Sequence, residues 1–416
     1  MKALLLLLLF SLSAGAATFT TTQAGPVTAA ATWGGSLPGP SDDVVLAHAV
    51  TLGGGGITYN TMTIGSRGQL TISATVPTTC TLACPNGITI SDGRTNGIGL
   101  ASIGASEANY AQIRISANIL SRTTGVAIFN ASFAWVSLTL NGNLTVSGVT
   151  GTGINARLPF LNITVNGNVT CNAIASVGIN TSGSTPSVVV NGDVHADLPD
   201  GGIAYGYGIK ASGGKVQING DLYCTGSGWV VKCVGGSVTV GDPVHPRTLT
   251  LNDSTTGLGY NADGADVDEP GTYTFWGNIY AQRQDVTVFC RGGTMNVHGN
   301  IYHAQTGLTL NRAVRVVRGT CNLYGHVYPL PGSEDKSMVE VQGGTLNVYG
   351  DLIRQSVVVT NGVTNAVLNT YGAVRSVGNS FSNWAIWNHV GETGNTVAPL
   401  PGTNTVIPEP GLLLGL

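Results

Sequence analysis

A glycine-centred phrase recurs from the middle of this chain to near its end, reading apolar-x-apolar-x-Gly-[Asn/Asp]-apolar-x. Its clearest copies are SLTLNGNLTV, NITVNGNVTC, SVVVNGDVHA, KVQINGDLYC, TYTFWGNIYA, TMNVHGNIYH, TCNLYGHVYP and TLNVYGDLIR, centred on Gly142, Gly167, Gly192, Gly220, Gly277, Gly299, Gly325 and Gly350. A weaker copy stands at Gly372 and a shortened one at Gly241. Most neighbouring copies are 21 to 28 residues apart. A period of that size, with strand-like alternation and no helical pattern, signals a solenoid in which one repeat is one coil. The expected fold is all-β, a right-handed parallel β-helix (β-solenoid) with about 22–28 residues per coil; the hand is the common one for coils of this length. An antiparallel sandwich also supplies many short strands, but it does not require one phrase at a near-constant interval.

With the repeat glycine as position 0, positions −4, −2 and +2 are apolar almost throughout, as in Met295, Val297 and Ile301, or Leu346, Val348 and Leu352. Such alternation marks strands with one buried face. The glycine reads as a bend using a dihedral most residues avoid, and Asn or Asp at +1 as a turn residue. Gly-Gly pairs at 213–214, 235–236, 292–293 and 343–344 open several of the strands. Since −2, +2 and +4 face inward, −1 and +3 face outward. Later copies carry Trp276, His298, Tyr324, Tyr349 and Tyr371 at −1, and Tyr280, Tyr302 and Tyr328 at +3, with Tyr223 earlier. Two aromatic ladders flanking one corner follow. Stacked rings stabilise neighbouring coils; they also make a sugar-binding strip in which flat faces meet pyranose C–H bonds. The candidate glycan-binding residues are therefore Trp276, Tyr280, Tyr302, Tyr324, Tyr328, Tyr349 and Tyr371. Asn296, Asn322, Asn347 and Asn369, aligned at −3, predict a hydrogen-bonding ladder.

Only 18 residues are Lys or Arg and 21 are Asp or Glu among 416, for a net charge of −3. No basic stripe is visible, which argues against a nucleic-acid partner. Residues 1–16 form a secretory signal peptide: Lys2, an apolar run from Ala3 to Leu12, and Ala14-Gly15-Ala16 as cleavage site. Seven cysteines in an exported chain leave at least one unpaired. Cys171 and Cys224 both lie four residues after a repeat glycine, so they read as core-facing, small apolar residues. Cys80 and Cys84 are placed to close a small loop. The interval from Gly241 to Gly277 widens to 36 residues and holds the densest acidic run, Asp263, Asp266, Asp268 and Glu269. Read as a loop, these carboxylates are a weak Ca²⁺ candidate through oxygen ligands; the spacing departs from the twelve-residue calcium loop, and a solvated acidic loop is the plainer reading. No other cofactor is expected.

No nucleophile elbow, P-loop or HExxH is present. Asp193, Asp221 and Asp351 align at +1, but Asn143, Asn168, Asn278 and Asn300 occupy the same position. That interchange fits a turn better than an acid/base pair. No catalytic residue is assigned. His195, His298, His303 and His326 fall at different coil positions and read as surface residues.

Residues 17–125 follow the repeat poorly. Trp33-Gly34-Gly35, Pro38, Asp42-Asp43-Val44-Val45 and Val50-Thr51-Leu52 together resemble the opening of the eight-glycine domain of secreted and surface proteins, which implies an N-terminal cap and first β-helix coils over 17–125. The repeat helix then runs over 126–390, with a Gly/Thr/Asn/Pro-rich linker at 391–405. Residues 406–416, with Pro408, Glu409 and Pro410 before a short apolar stretch, resemble the start of a PEP-CTERM sorting signal, truncated before any full span or basic tail. The resemblance implies sorting by exosortase-type machinery, export in a Gram-negative-type bacterium, and membrane contact only in transit, through the signal and sorting segments. The chain then reads as a non-enzymatic, surface- or matrix-associated adhesin or structural solenoid that contacts extracellular polysaccharide or cell-surface glycan. The alternatives are a polysaccharide lyase or glycoside hydrolase on the same fold, and a phage tail-fibre-like protein.

Overall fold

The computed structural model describes residues 16–397, apart from 94–95, 107, 132–134, 157–160, 174, 184–185, 199–205, 227, 253–262, 268–269, 283–285, 305–311, 331–337, 361–365, 382–385 and 391–395. The chain winds as a parallel β-solenoid, as the repeat requires. One coil shows the plan: Leu161–Val165, Val169–Cys171 and Val177–Ser182 follow one another, separated by bends. Each pairs in parallel with its equivalent one coil earlier (Val136–Leu140, Leu144–Val146, Thr152–Ala156) and one coil later (Ser187–Val190, Val194–Leu198, Gly206–Ile218). Three parallel sheets therefore run the length of the rod. An antiparallel pairing joins Ile386–Val390 to Thr396–Val397 at the far end.

Alternation sets the core. In Val136–Leu140 and Leu161–Val165 every second residue is buried. The −2 column runs through Leu140, Val165, Val190, Ile218, Val240, Phe275, Val297, Leu323 and Val348, each at most 1% exposed. Burying one such side chain stabilises by about 1.5–3 kcal/mol, and each coil repeats the gain. Residues 17–125 lack the glycine phrase but build the same three sheets: Thr18–Thr20 pairs with Asp43–Leu46, and Gly25–Pro26 with Ala49–Gly53. Trp33 caps this end from inside, its Nε1–H donating to the Val27 carbonyl at 2.7 Å and its ring edge-on to Tyr59.

Most repeat glycines have a different cause from the one their sequence suggests. A Cβ on Gly299 would stand 1.8 Å from the Gly277 carbonyl oxygen, and one on Gly325 would stand 2.2 Å from that of Gly299. Neither has a left-handed backbone. Glycine is needed because the corner of the preceding coil lies directly against it. The dihedral argument holds at Gly142 and Gly277, with φ of 157° and 135°, and at the Gly-Gly bends, where Gly214, Gly236, Gly293 and Gly344 have φ of 71°, 84°, 64° and 70°.

The shortened copy also shifts by one residue. Val240 pairs with Phe275, so Gly241 stands opposite Trp276 at −1, and Arg247, paired with Gly277, holds the glycine position. A loop at 242–246 is inserted at that corner. Asp263–Val267, expected in a loop, is a strand paired with both Gly228–Val240 and Val286–Cys290. The acidic residues around Ala265 and Val267 hid the strand in the sequence.

Candidate functional site

The corner between −4 and +4 is built by two hydrogen-bonded columns. At +1, the Asn143 Oδ1 accepts the Asn168 N–H at 2.8 Å, Asn168 Oδ1 accepts that of Asp193, and Asp193 Oδ1 accepts that of Asp221. Asp221 continues to Thr248, and Asp351 to Ala373. A single acceptor oxygen is what the position demands, which is why Asn and Asp interchange there. His326 meets the same demand with Nδ1, accepting the Asp351 N–H at 2.9 Å. At −3, Asn322, Asn347, Asn369 and Asn388 each donate Nδ2–H to the Oδ1 of the Asn one coil earlier, at 2.7–2.8 Å. The expected ladder is there, longer by Asn388.

Outward from these columns stand the rings. At −1, the first coils carry amides, with Asn166, Asn191 and Asn219 linked Nδ2–H to Oδ1. From Trp276 onward they are replaced by one continuous stack. Centroid separations are 3.6 Å for Trp276–His298, 4.3 Å for His298–Tyr324, 5.0 Å for Tyr324–Tyr349 and 4.8 Å for Tyr349–Tyr371, all within 9° of parallel. At +3, Tyr280 stacks on Tyr302 at 4.9 Å, and Tyr302 on Tyr328 at 5.7 Å. All seven candidate residues thus lie in two columns at one corner, and Tyr280, Tyr324, Tyr349 and Tyr371 are exposed.

Stacking alters what those columns offer. A ring between two parallel neighbours has both faces covered, so solvent meets ring edges and phenol oxygens spaced by one coil. Burial, and then the Tyr371 and Tyr324 phenols, raise the Tyr349 pKa, so its hydroxyl remains a donor at neutral pH. Burial lowers the His298 pKa, which keeps its imidazole neutral between Trp276 and Tyr324.

A second strip is almost silent in the sequence. On the neighbouring sheet Tyr207 stacks on Trp229 at 5.0 Å, with the Lys210 and Lys232 ammonium groups 5.4 and 5.0 Å from those rings. Further along, Arg291 lies 4.4 Å and Arg315 5.2 Å from the Phe289 ring. Glu340 is nearly buried beside Arg312 and Arg315. The 22-residue spacing of Tyr207/Lys210 and Trp229/Lys232 is its only sequence signal.

The remaining candidates divide. Asp263 and Asp266 lie on one strand, while Asp268 and Glu269 lie outside the described residues, as do Pro408, Glu409 and Pro410. Among the described residues no group of three or more His, Cys, Asp or Glu is placed to hold a metal. No helix among them is long and apolar enough to cross a membrane. All seven cysteines are buried thiols, including Cys80 and Cys84, which share the inward face of Thr79–Ala83 and its continuation instead of closing a loop. Burial pushes the Cys84 thiol up to about 12 and Cys171 to about 11, away from thiolate chemistry. His303 is fully buried at +4, not a surface residue as expected; it fills the inward place held by Ala281 one coil earlier. Compared with known protein families, curated proteins and solved structures, the chain matches none.

Proposed function

We propose that this chain is an exported, surface- or matrix-associated adhesin or structural solenoid that contacts glycan at its ring-bearing corner. The observation carrying this reading is the pair of outward aromatic columns, one five rings long, on a surface with few charges. Exposed Tyr324, Tyr349 and Tyr371 combine apolar edge with a hydrogen-bonding tip, the combination that suits sugar polymers. The signal-like leader and the Pro408-Glu409-Pro410 segment support export and exosortase-type sorting. A hydrolase or lyase would need free carboxylates. The aligned Asp193, Asp221 and Asp351 instead spend an oxygen each on the next coil's backbone.

The test is a glycan-array screen of the full chain beside Tyr324→Ala/Tyr349→Ala. Binding by the parent with at least a tenfold loss in the double variant is the expected result. No binding by a folded sample would leave the rings as coil stabilisers and remove the glycan part of the proposal.

A further inference from the structure

One rung of the +3 column has no ring. His195 and Tyr223 stack at 4.7 Å, and Tyr280 and Tyr302 at 4.9 Å. Between these pairs stands Thr250, in register with Tyr223 on one side and Tyr280 on the other. Tyr223 and Tyr280 each have one face against their stacking partner. Their other faces look at one another across Thr250, two coil rises apart, about 9.6 Å. Elsewhere in the column a ring fills that interval. Here no ring of the described residues fills it, and the interval is sized for one six-membered ring in contact with carbon on both sides at about 3.5–4.0 Å.

The rim of the gap is polar. By register, Asp221 and Thr248 border it at +1, with Asp221 Oδ1 accepting the Thr248 N–H at 2.8 Å. Asn252 and Gln282, both exposed, border it at +5. Burial, followed by the Asp221 and Asp193 carboxylates, raises the Tyr223 pKa, so anionic charge stands close to this wall. The equivalent vacancy at −1, Gly241 beneath Trp276, is already taken: Arg247 Cγ lies 3.0 Å from where a Cβ of residue 241 would be.

We propose that the gap over Thr250 is a single-sugar slot, walled by Tyr223 and Tyr280, that takes a neutral hexopyranosyl unit with equatorial hydroxyls. Such a sugar presents axial C–H bonds on both faces, matching two phenol walls. Its hydroxyls radiate in the ring plane, toward Thr248, Asp221 and Asn252. An axial hydroxyl would press a polar group onto a wall, and a uronate would meet Asp221. The slot rests on the reading of the chain as a glycan binder, and adds a single-sugar site at the break in the ladder to the contact along the intact stack.

The test is titration calorimetry of the full chain with cellohexaose and competition by methyl β-D-glucopyranoside, against methyl α-D-mannopyranoside and a galacturonate hexamer as poor ligands. Thr250→Tyr supplies the missing ring; it is expected to preserve or raise Tm by completing the stack and to weaken cellohexaose at least tenfold. Tyr280→Ala removes a wall and is expected to weaken it by a similar factor, which keeps the test decisive if Thr250→Tyr does not fold. Thr145→Ala, in the same column but four coils before Thr250, is expected to leave cellohexaose binding unchanged. Binding that survives both Thr250→Tyr and Tyr280→Ala overturns the slot. If Tyr324→Ala/Tyr349→Ala then abolishes binding, the intact stack holds the glycan and the broader proposal stands alone. Equal binding of the galacturonate hexamer, or no cellohexaose binding by the parent, also overturns it.

Discussion

At the scale of single residues, corner glycines such as Gly299 and Gly325 leave no room for a side chain. Gly299→Ala would drive a methyl group into the Gly277 carbonyl, and stacked corners on both sides leave nowhere to retreat. A loss of about 3 kcal/mol or more is expected in urea unfolding. Gly53, where a Cβ would have nothing within 4 Å and φ is not left-handed, is the control, and Gly53→Ala should change stability little. Repetition marks these corners in the sequence but suggests only the cause that holds at Gly142 and Gly277, because a dihedral is a property of one residue while a clash belongs to two coils. For the same reason the Asn/Asp interchange looks like turn chemistry. Its cause, an oxygen held out to the N–H one coil later, becomes visible only when Asn143, Asn168 and Asp193 are stacked.

At the scale of the element, the −1 column is one object, and His298 is its titratable rung. Burial lowers its pKa below the ordinary value of 6.5. Above that value both folded and unfolded chains hold it neutral, and the column's contribution is fully present. As pH falls below 6.5 the unfolded chain takes up the proton first, so stability declines and levels off only beneath the folded pKa. His298→Tyr should flatten the slope of Tm between about pH 7.5 and 5, measured as the difference from the parent over roughly the window in which histidine titrates. A parallel pair of curves would mean that the imidazole is not sheltered by Trp276 and Tyr324. Position in these columns was legible from spacing alone, since −1 and +3 must face out when −2 and +2 face in. Ring orientation was not. The sequence places Tyr324 beside Tyr349, but only the folded coils show that their faces meet and their edges are left for a ligand.

At the scale of the whole molecule, the period announced the solenoid, whereas the departures from the period needed structure. Gly241 kept the look of a repeat glycine while standing one place early, because five inserted residues follow it and Arg247 takes the corner. Thr250 looked like an ordinary strand residue until its neighbours above and below proved to be tyrosines. The coils are joined along the rod by hydrogen bonds that run parallel to its length. A pull on the two ends therefore loads those bonds head-on, one rung at a time, and does not shear many together. Such a rod behaves as a reel, not a cable. Optical-trap extension should show a train of small releases, each freeing one coil of about 22–28 residues, or roughly 75–100 Å of slack. A single large rupture would show that the coils yield together. Anchored at a cell surface, a chain that unwinds in this way lengthens under load while its remaining coils stay wound.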